Sequence, residues 1–278
     1  MTYKTFLAII QNDEDAGRVL DFAVPLAAGV GGHLIGLHTE AIPIAYSSPV
    51  GFPEAEFMQA TSEVNTARAA KLEAFFKERV QAAGISHDWR SLESFSGDSG
   101  VSGLSSARSV DLVVVAQPSP EADAPTADVE TMIFDSGRPV IIAPYTGATT
   151  AVFRRVLIAW NASREASRAV FDALPFILAA EHSEVLAVDP EDNPARPADK
   201  AGEGIAATLR RHGANVTVNR MVSGGRGIDD IIEDRIAETA ADLVVLGAYS
   251  HSRLREFLFG GVTRSVLKSM SVTTFMSR

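Results

Sequence analysis

The sequence predicts an α/β chain built from two tandem five-stranded parallel doubly wound domains. The first observation is a duplication: Asp111-Leu112-Val113-Val114-Val115-Ala116 and Asp242-Leu243-Val244-Val245-Leu246-Gly247 lie 131 residues apart in a chain of 278. Each is a short apolar run opened by an acid, which suits a strand buried in a parallel sheet. The second is that the repeat recurs in the same order elsewhere. At an offset of 150, Leu7, Ala16, Arg18, Ala23 and Pro25 meet Leu157, Ala166, Arg168, Ala173 and Pro175, and at an offset of 132 the run 139–143 meets 271–275. The offsets drift because the loops between matched segments differ in length. The third is an alternation of apolar runs with segments of helical period along both halves, which implies parallel sheets covered on both faces.

In the first half a strand is expected at 5–10 and a helix at 14–28, opened by Asn12 or Asp13 as N-cap. A second strand at 33–38 is followed by a loop at 41–53 that holds three prolines. Phe57, Val64, Leu72, Phe75, Phe76 and Val80 then fall near helical spacing across 54–83, and Gly84 ends that helix. A third strand at 86–92 leads through the glycine-rich 97–103 into a short helix. Strands at 111–116 and 139–143 enclose a helix near 127–135. The second half repeats the plan with strands at 155–160, 183–188, 215–222, 242–247 and 271–276. Its helices are expected at 164–179, 200–212, 227–239 and 260–269. The small, polar 145–150 is the linker, giving domains at 1–146 and 150–278. The halves are expected to pack about a pseudo-twofold axis through their last strands, 139–143 and 271–276.

Composition narrows the function. An apolar fraction of 46% supports a core in each half. Zero cysteines exclude disulfides, thiolate metal sites and cysteine nucleophiles. No apolar stretch approaches the roughly 18 residues of a membrane span. The N-terminus lacks the pattern of a secretory signal, so a cytoplasmic protein is expected. The net charge of −10 is carried by residues 1–150, with 9 Lys/Arg against 19 Asp/Glu, while the remainder is balanced at 16 and 16. An acidic chain without a basic stripe is not built for nucleic acid.

Doubly wound sheets bind ligands beyond the carboxyl ends of their strands, where strand order switches. In the second half that brings 159–163 against the loop that starts at Gly247. Gly247 ends a strand, where a missing Cβ admits backbone or ligand. Gly260 and Gly261 precede a helix whose first turn is Val262 and Thr263, and the free N–H groups of such a turn suit an anion. Arg253, Arg255 and Arg264 surround this loop, and His251 lies within it. The same glycines also serve simply to turn the chain, and His251 to decorate a surface. Trp160 is a base-stacking or a packing residue. The segments 97–100 and 224–227 lack the Lys-Ser/Thr ending of a P-loop and read as strand-to-helix turns, with Asp98 and Asp229 near helix starts. No G-x-S-x-G elbow and no metal-ligand spacing is present.

The stretch 247–263 resembles the universal stress protein signature G-x2-G-x9-G-[ST], and the duplicated five-stranded plan is similar to the tandem subgroup of that family. The resemblance implies an adenine-nucleotide-binding type of fold, and a family divided between members that bind ATP and members that do not. By position, Gly247 and Gly260 match the first and third glycines, and Ser250 and Gly261 replace the second glycine and the Ser/Thr. Asn161 stands where ATP-binding members carry an aspartate. The implied site is Ala159, Asn161, Val188, Gly247, Ser250, His251, Gly260, Gly261, Val262 and Thr263, with ATP or ADP as ligand and magnesium as its companion. In the first half Ala116 replaces the first glycine and prolines 118, 120 and 125 replace the loop, so no nucleotide is expected there. The implied role is a stress-response sensor or interaction module without catalytic residues. A ligand-free scaffold and a slow magnesium-dependent ATP hydrolase using Glu256 or Asp189 are the alternatives. Further homodimerisation is left open.

Overall fold

The computed structural model describes residues 3–41, 55–94, 99–117, 127–146, 150–190, 201–248 and 270–278. The first half runs β1 (Thr5–Ile9), α1 (Asp13–Val30), β2 (His33–Ala41), α2 (Ala55–Ala82), β3 (Ser86–Ser94), α3 (Ser99–Ala107), β4 (Leu112–Ala116), α4 (Ala127–Asp135) and β5 (Val140–Ala143). The second runs β6 (Arg155–Ala159), α5 (Arg164–Asp172), α6 (Leu174–Ala179), β7 (His182–Val188), α7 (Glu203–Arg211), β8 (Val216–Met221), α8 (Ile228–Thr239), β9 (Leu243–Gly247) and β10 (Thr273–Ser277). The helix expected at 260–269 lies outside the described residues.

Among the described residues, ten strands join one sheet in the order β3-β2-β1-β4-β5-β10-β9-β6-β7-β8. Each half is internally parallel and has the same order, so the first and fourth strands of each are neighbours. The central strands are buried at every position of β4 and β5, as a sheet covered on both faces requires. The last strands meet as expected: β5 and β10 pair antiparallel, with Phe275 opposite Ile141. That reversal points the carboxyl edges of the two halves to opposite sides of the molecule.

One face of the sheet is covered by α1, α2, α5, α6 and α7, with Leu20, Phe76, Val170 and Leu209 in a single cluster. The other is covered by α3, α4 and α8, with Leu104, Met132 and Ile232. Both clusters cross the seam between the halves. On the first face the seam is aromatic: Phe22 lies 6.0 Å from Phe153, Phe153 5.5 Å from Phe176, and Phe176 5.9 Å from Phe275, centroid to centroid.

Local chemistry sets the helix ends. Asn12 Oδ1 accepts the Asp15 N–H at 2.8 Å and caps α1, whose first turn carries Asp13, Glu14 and Asp15 at the positive end of the helix dipole. Gly31, at φ +57°, ends it in the left-handed conformation. Two expectations need correction. The helix expected at 164–179 is two helices, because Pro175 supplies no N–H and starts α6 at its first turn. The matched Pro25 lies inside the continuous α1. The helix expected after the 97–103 stretch instead begins within it, at Ser99.

A buried ion pair fastens α8 to the sheet. Arg235 donates to both oxygens of Glu184, Nε to Oε1 at 2.7 Å and Nη2 to Oε2 at 2.6 Å. Glu184 sits in the apolar run of β7 and is 7% exposed.

Candidate functional site

The switch in strand order of the second half lies between β6 and β9, where Ala159 pairs with Leu246. Beyond β6, Trp160 N–H is held by Leu186 O at 2.8 Å, and the Trp160 ring is half-buried against the core on the α5 face. Ser163 Oγ accepts the Ala166 N–H at 3.1 Å and caps α5. Asn161 Oδ1 accepts the Ser163 N–H at 3.0 Å, so its carbonyl oxygen is turned into its own loop. Beyond β7, Asp189 Oδ1 accepts the Ser223 N–H at 2.7 Å. Hydrogen bonds from the Ser223 hydroxyl and backbone hold its carboxyl below the ordinary carboxylate range.

Two residues around this edge have left-handed backbones without being glycine, Ala162 at φ +54° and Asp189 at φ +46°. Such residues cost energy and persist only where the surroundings hold them.

Gly247 is explained by backbone. A Cβ there would lie 2.3 Å from Ala166 N and 2.4 Å from Glu165 C, so the first turn of α5 occupies the space. The residue makes room for a helix rather than for a ligand. After it, Ala248 N–H is held by Ser277 O at 2.9 Å. Ser250, His251, Gly260, Gly261, Val262 and Thr263 lie outside the described residues, as do Arg253, Arg255, Arg264 and Glu256. Ala159, Asn161, Val188 and Gly247 do gather at the one edge.

Register equates Ala159, Val188 and Gly247 with Ile9, Thr39 and Ala116 of the first half. The two sets differ in exposure. The second-half residues are all partly exposed, whereas Ile9, Thr39 and Ala116 are 7%, 5% and 8% exposed. The first half fills its own crevice with polar side chains. Gln11 Nε2 donates to Thr39 Oγ1 at 2.6 Å and Gln11 Oε1 accepts the Thr39 N–H at 3.2 Å. Gln117 Oε1 accepts the Tyr145 N–H at 2.7 Å, and Arg18 donates to Gln117 O at 3.1 Å while lying 4.8 Å over the Tyr145 ring. His38, buried beside them, has Nδ1 2.8 Å from Ile10 O and Nε2 2.8 Å from Glu40 Oε2. Arg68 pairs with the other Glu40 oxygen at 3.0 Å.

Sequence reasoning missed Met221, which ends β8 half-buried beside Val188 on the same sheet face. It also missed Ser223, Asp172 and Ser277. An apolar residue closing a strand was the available signal for Met221; nothing local marks the other three.

Residues 153–278 match the profile described as the Universal stress protein family. The second half belongs to the universal stress protein family. Solved structures extend the likeness of fold over the first half as well. A universal stress protein from Archaeoglobus fulgidus superposes with a TM-score of 0.75 at 17% identity, covering 100% of this chain and 97% of its own. A putative universal stress protein from Pseudomonas aeruginosa gives 0.62 at 16%, covering 99% and 93%. A protein of unknown function from the same species gives 0.59 at 16%, covering 99% and 92%. No curated protein matches the chain. Among the described residues, no helix is long and apolar enough to cross a membrane, and no group of three His, Asp or Glu could hold a metal ion.

Proposed function

We propose that the second half of this universal stress protein binds an adenine nucleotide, ATP or ADP, at the carboxyl edge between β6 and β9. The protein then acts in the stress response as a sensor or interaction module rather than as a dedicated enzyme. The observation that carries this is the asymmetry of the two crevices. Ala159 and Val188 offer a partly exposed, apolar floor at the ends of β6 and β7, suited to a flat base. Their first-half counterparts, Ile9 and Thr39, are buried, with Gln11 bonded to Thr39. Among the described residues, the left-handed backbones at Ala162 and Asp189 have no non-glycine counterpart at the first-half edge. The glycine loop at 247–263 supplies the N–H groups for phosphate, as the family resemblance implies, and Ser250, His251, Gly260, Gly261, Val262 and Thr263 are its assigned contacts.

In this reading the domains are 1–146 and 150–278, joined as an intramolecular pseudo-dimer through β5 and β10. The protein is cytoplasmic, with no nucleic-acid or membrane partner, and a homodimer of tandem chains is compatible with it. Magnesium would enter with the nucleotide. Hydrolysis is slow in this reading, and of the two acids the sequence offers for it, Asp189 lies among the described residues. The scaffold alternative is favoured by Asn161, which puts an amide where the resemblance implies an aspartate and whose oxygen already accepts the Ser163 N–H. Gly260→Asp tests the choice: it puts a carboxylate where phosphate is expected, and ATP affinity should fall at least tenfold. Unchanged affinity in that variant would remove the loop from the site.

A further inference from the structure

The break between α5 and α6 frees a carbonyl, and the first half takes it. In a continuous helix Asp172 O would accept from Phe176 N, but that N–H bonds Ala173 O at 3.0 Å instead. The hydroxyl of Tyr3 donates to the freed Asp172 O. Burial, with the Asp172 and Asp111 carboxylates adding to it, pushes the Tyr3 hydroxyl up from its ordinary value, so it remains a donor. The Tyr3 ring is fixed on both sides, 6.4 Å from Phe6 and 5.8 Å from Phe176.

The Asp172 side chain continues the chain. Its Oδ2 accepts from Arg168 Nε at 2.7 Å and from Ser277 Oγ at 2.6 Å. Ser277 is 2% exposed, lies opposite Gly247 in the β9–β10 register, and its carbonyl holds the Ala248 N–H at 2.9 Å. Ala248 is the first residue of the segment that enters the glycine loop. The other end of α5 touches the same point, since Glu165 and Ala166 abut Gly247. A run of hydrogen bonds therefore leads from the first half, through the last turn of α5 and the end of β10, to the entrance of the candidate site.

We propose that Tyr3 is a positioning residue for the carboxyl end of β9: with Asp172 and Ser277 it sets where Gly247 and Ala248 sit at the edge of the candidate site. The ligand part of this rests on the adenine-nucleotide reading; the positioning part does not. The Tyr3→Phe variant removes the hydroxyl and keeps the ring packing, and Ser277→Ala cuts the chain one link later. Hydrogen exchange at the Ala248 amide of the free, full-length protein should speed up roughly fivefold in either variant, the factor carried by about one net hydrogen bond. Phe22→Leu, which loosens the aromatic seam without touching the chain, should leave that amide unchanged. Titration of ATP into Tyr3→Phe should show affinity weakened by a similar factor. Exchange at Ala248 that is the same in Tyr3→Phe and wild type overturns the positioning role, whatever ATP does. A wild-type protein that ignores ATP while Ala248 exchange responds keeps the positioning role and removes the nucleotide reading.

Discussion

Among the described glycines, Gly247 is where an added methyl would come closest to fixed backbone. The new Cβ would meet three backbone atoms of α5 at once: Ala166 N at 2.3 Å, Glu165 C at 2.4 Å and Ala166 Cα at 2.8 Å. None is the end of a flexible side chain. Relief requires α5 to move away from β9 by about 1 Å, dragging Ala166, Ala169 and Val170, which are 2%, 0% and 1% exposed. Overpacking of a tight core costs about 1–3 kcal/mol, and three rigid contacts place this case near the top, at about 3 kcal/mol. For a chain of this size that corresponds to a fall in Tm of about 6–10 °C. The matched position in the first half gives the internal control. Ala116 already carries a Cβ in a buried site, so Ala116→Gly should cost about 1–2 kcal/mol from the lost methyl and the freer backbone. Calorimetry or urea unfolding measures both. A Gly247→Ala protein within about 0.5 kcal/mol of wild type would refute the seating of α5 on β9, and with it the frame of the candidate site.

Other outcomes follow from the same coordinates. Arg235→Ala should lose about 3–5 kcal/mol in urea unfolding, because it leaves the buried Glu184 carboxylate without its counter-charge, and Glu184→Gln should cost less because Arg235 keeps Glu238 at 2.7 Å; a loss below about 1 kcal/mol in Arg235→Ala would show the pair to be hydrated. Glu233 has a carboxyl raised mainly by burial, partly offset by the Ser271 hydroxyl at 2.8 Å. Below the unfolded value both states hold the proton and nothing is lost; as pH rises through the folded value the buried charge penalises the native state. Glu233→Gln should therefore stabilise the protein at pH 7 and be neutral at pH 4, and a gain that is equal at both would contradict the assignment. Asp189 has the opposite sign: its carboxyl is lowered by Ser223, so its contribution is present above the ordinary aspartate value and fades as pH falls through the lower, folded one. Asp189→Asn should flatten that acid limb in a pH series of unfolding midpoints.

How much of this was legible in the sequence depends on the range of the interaction. The central strands read well because β4, β5 and β9 are short apolar runs buried on both faces, and the duplication set each copy against the other. The end of β9 and the cap at Asn12 were local signals. The split of α5 from α6 hung on Pro175, yet the matched Pro25 leaves α1 whole, so tertiary packing decided between identical cues. The closure of the first-half crevice was invisible because Gln11 meets Thr39, and Arg18 meets Gln117, across separations of 28 and 99 residues. The role of Gly247 was half legible: a close approach was expected, but that α5 makes it is visible only in three dimensions. The pairing of Glu184 with Arg235 was not legible, since the two are 51 residues apart in sequence.

The measurement that bears most directly on the central claim is the mass of any ligand released from purified, gently denatured protein, read beside an ATP titration of the emptied chain. The account predicts ATP or ADP at about one per chain and saturable binding that Gly260→Asp weakens at least tenfold. A protein that emerges empty and ignores ATP would contradict it, leaving a tandem scaffold whose open crevice serves no nucleotide.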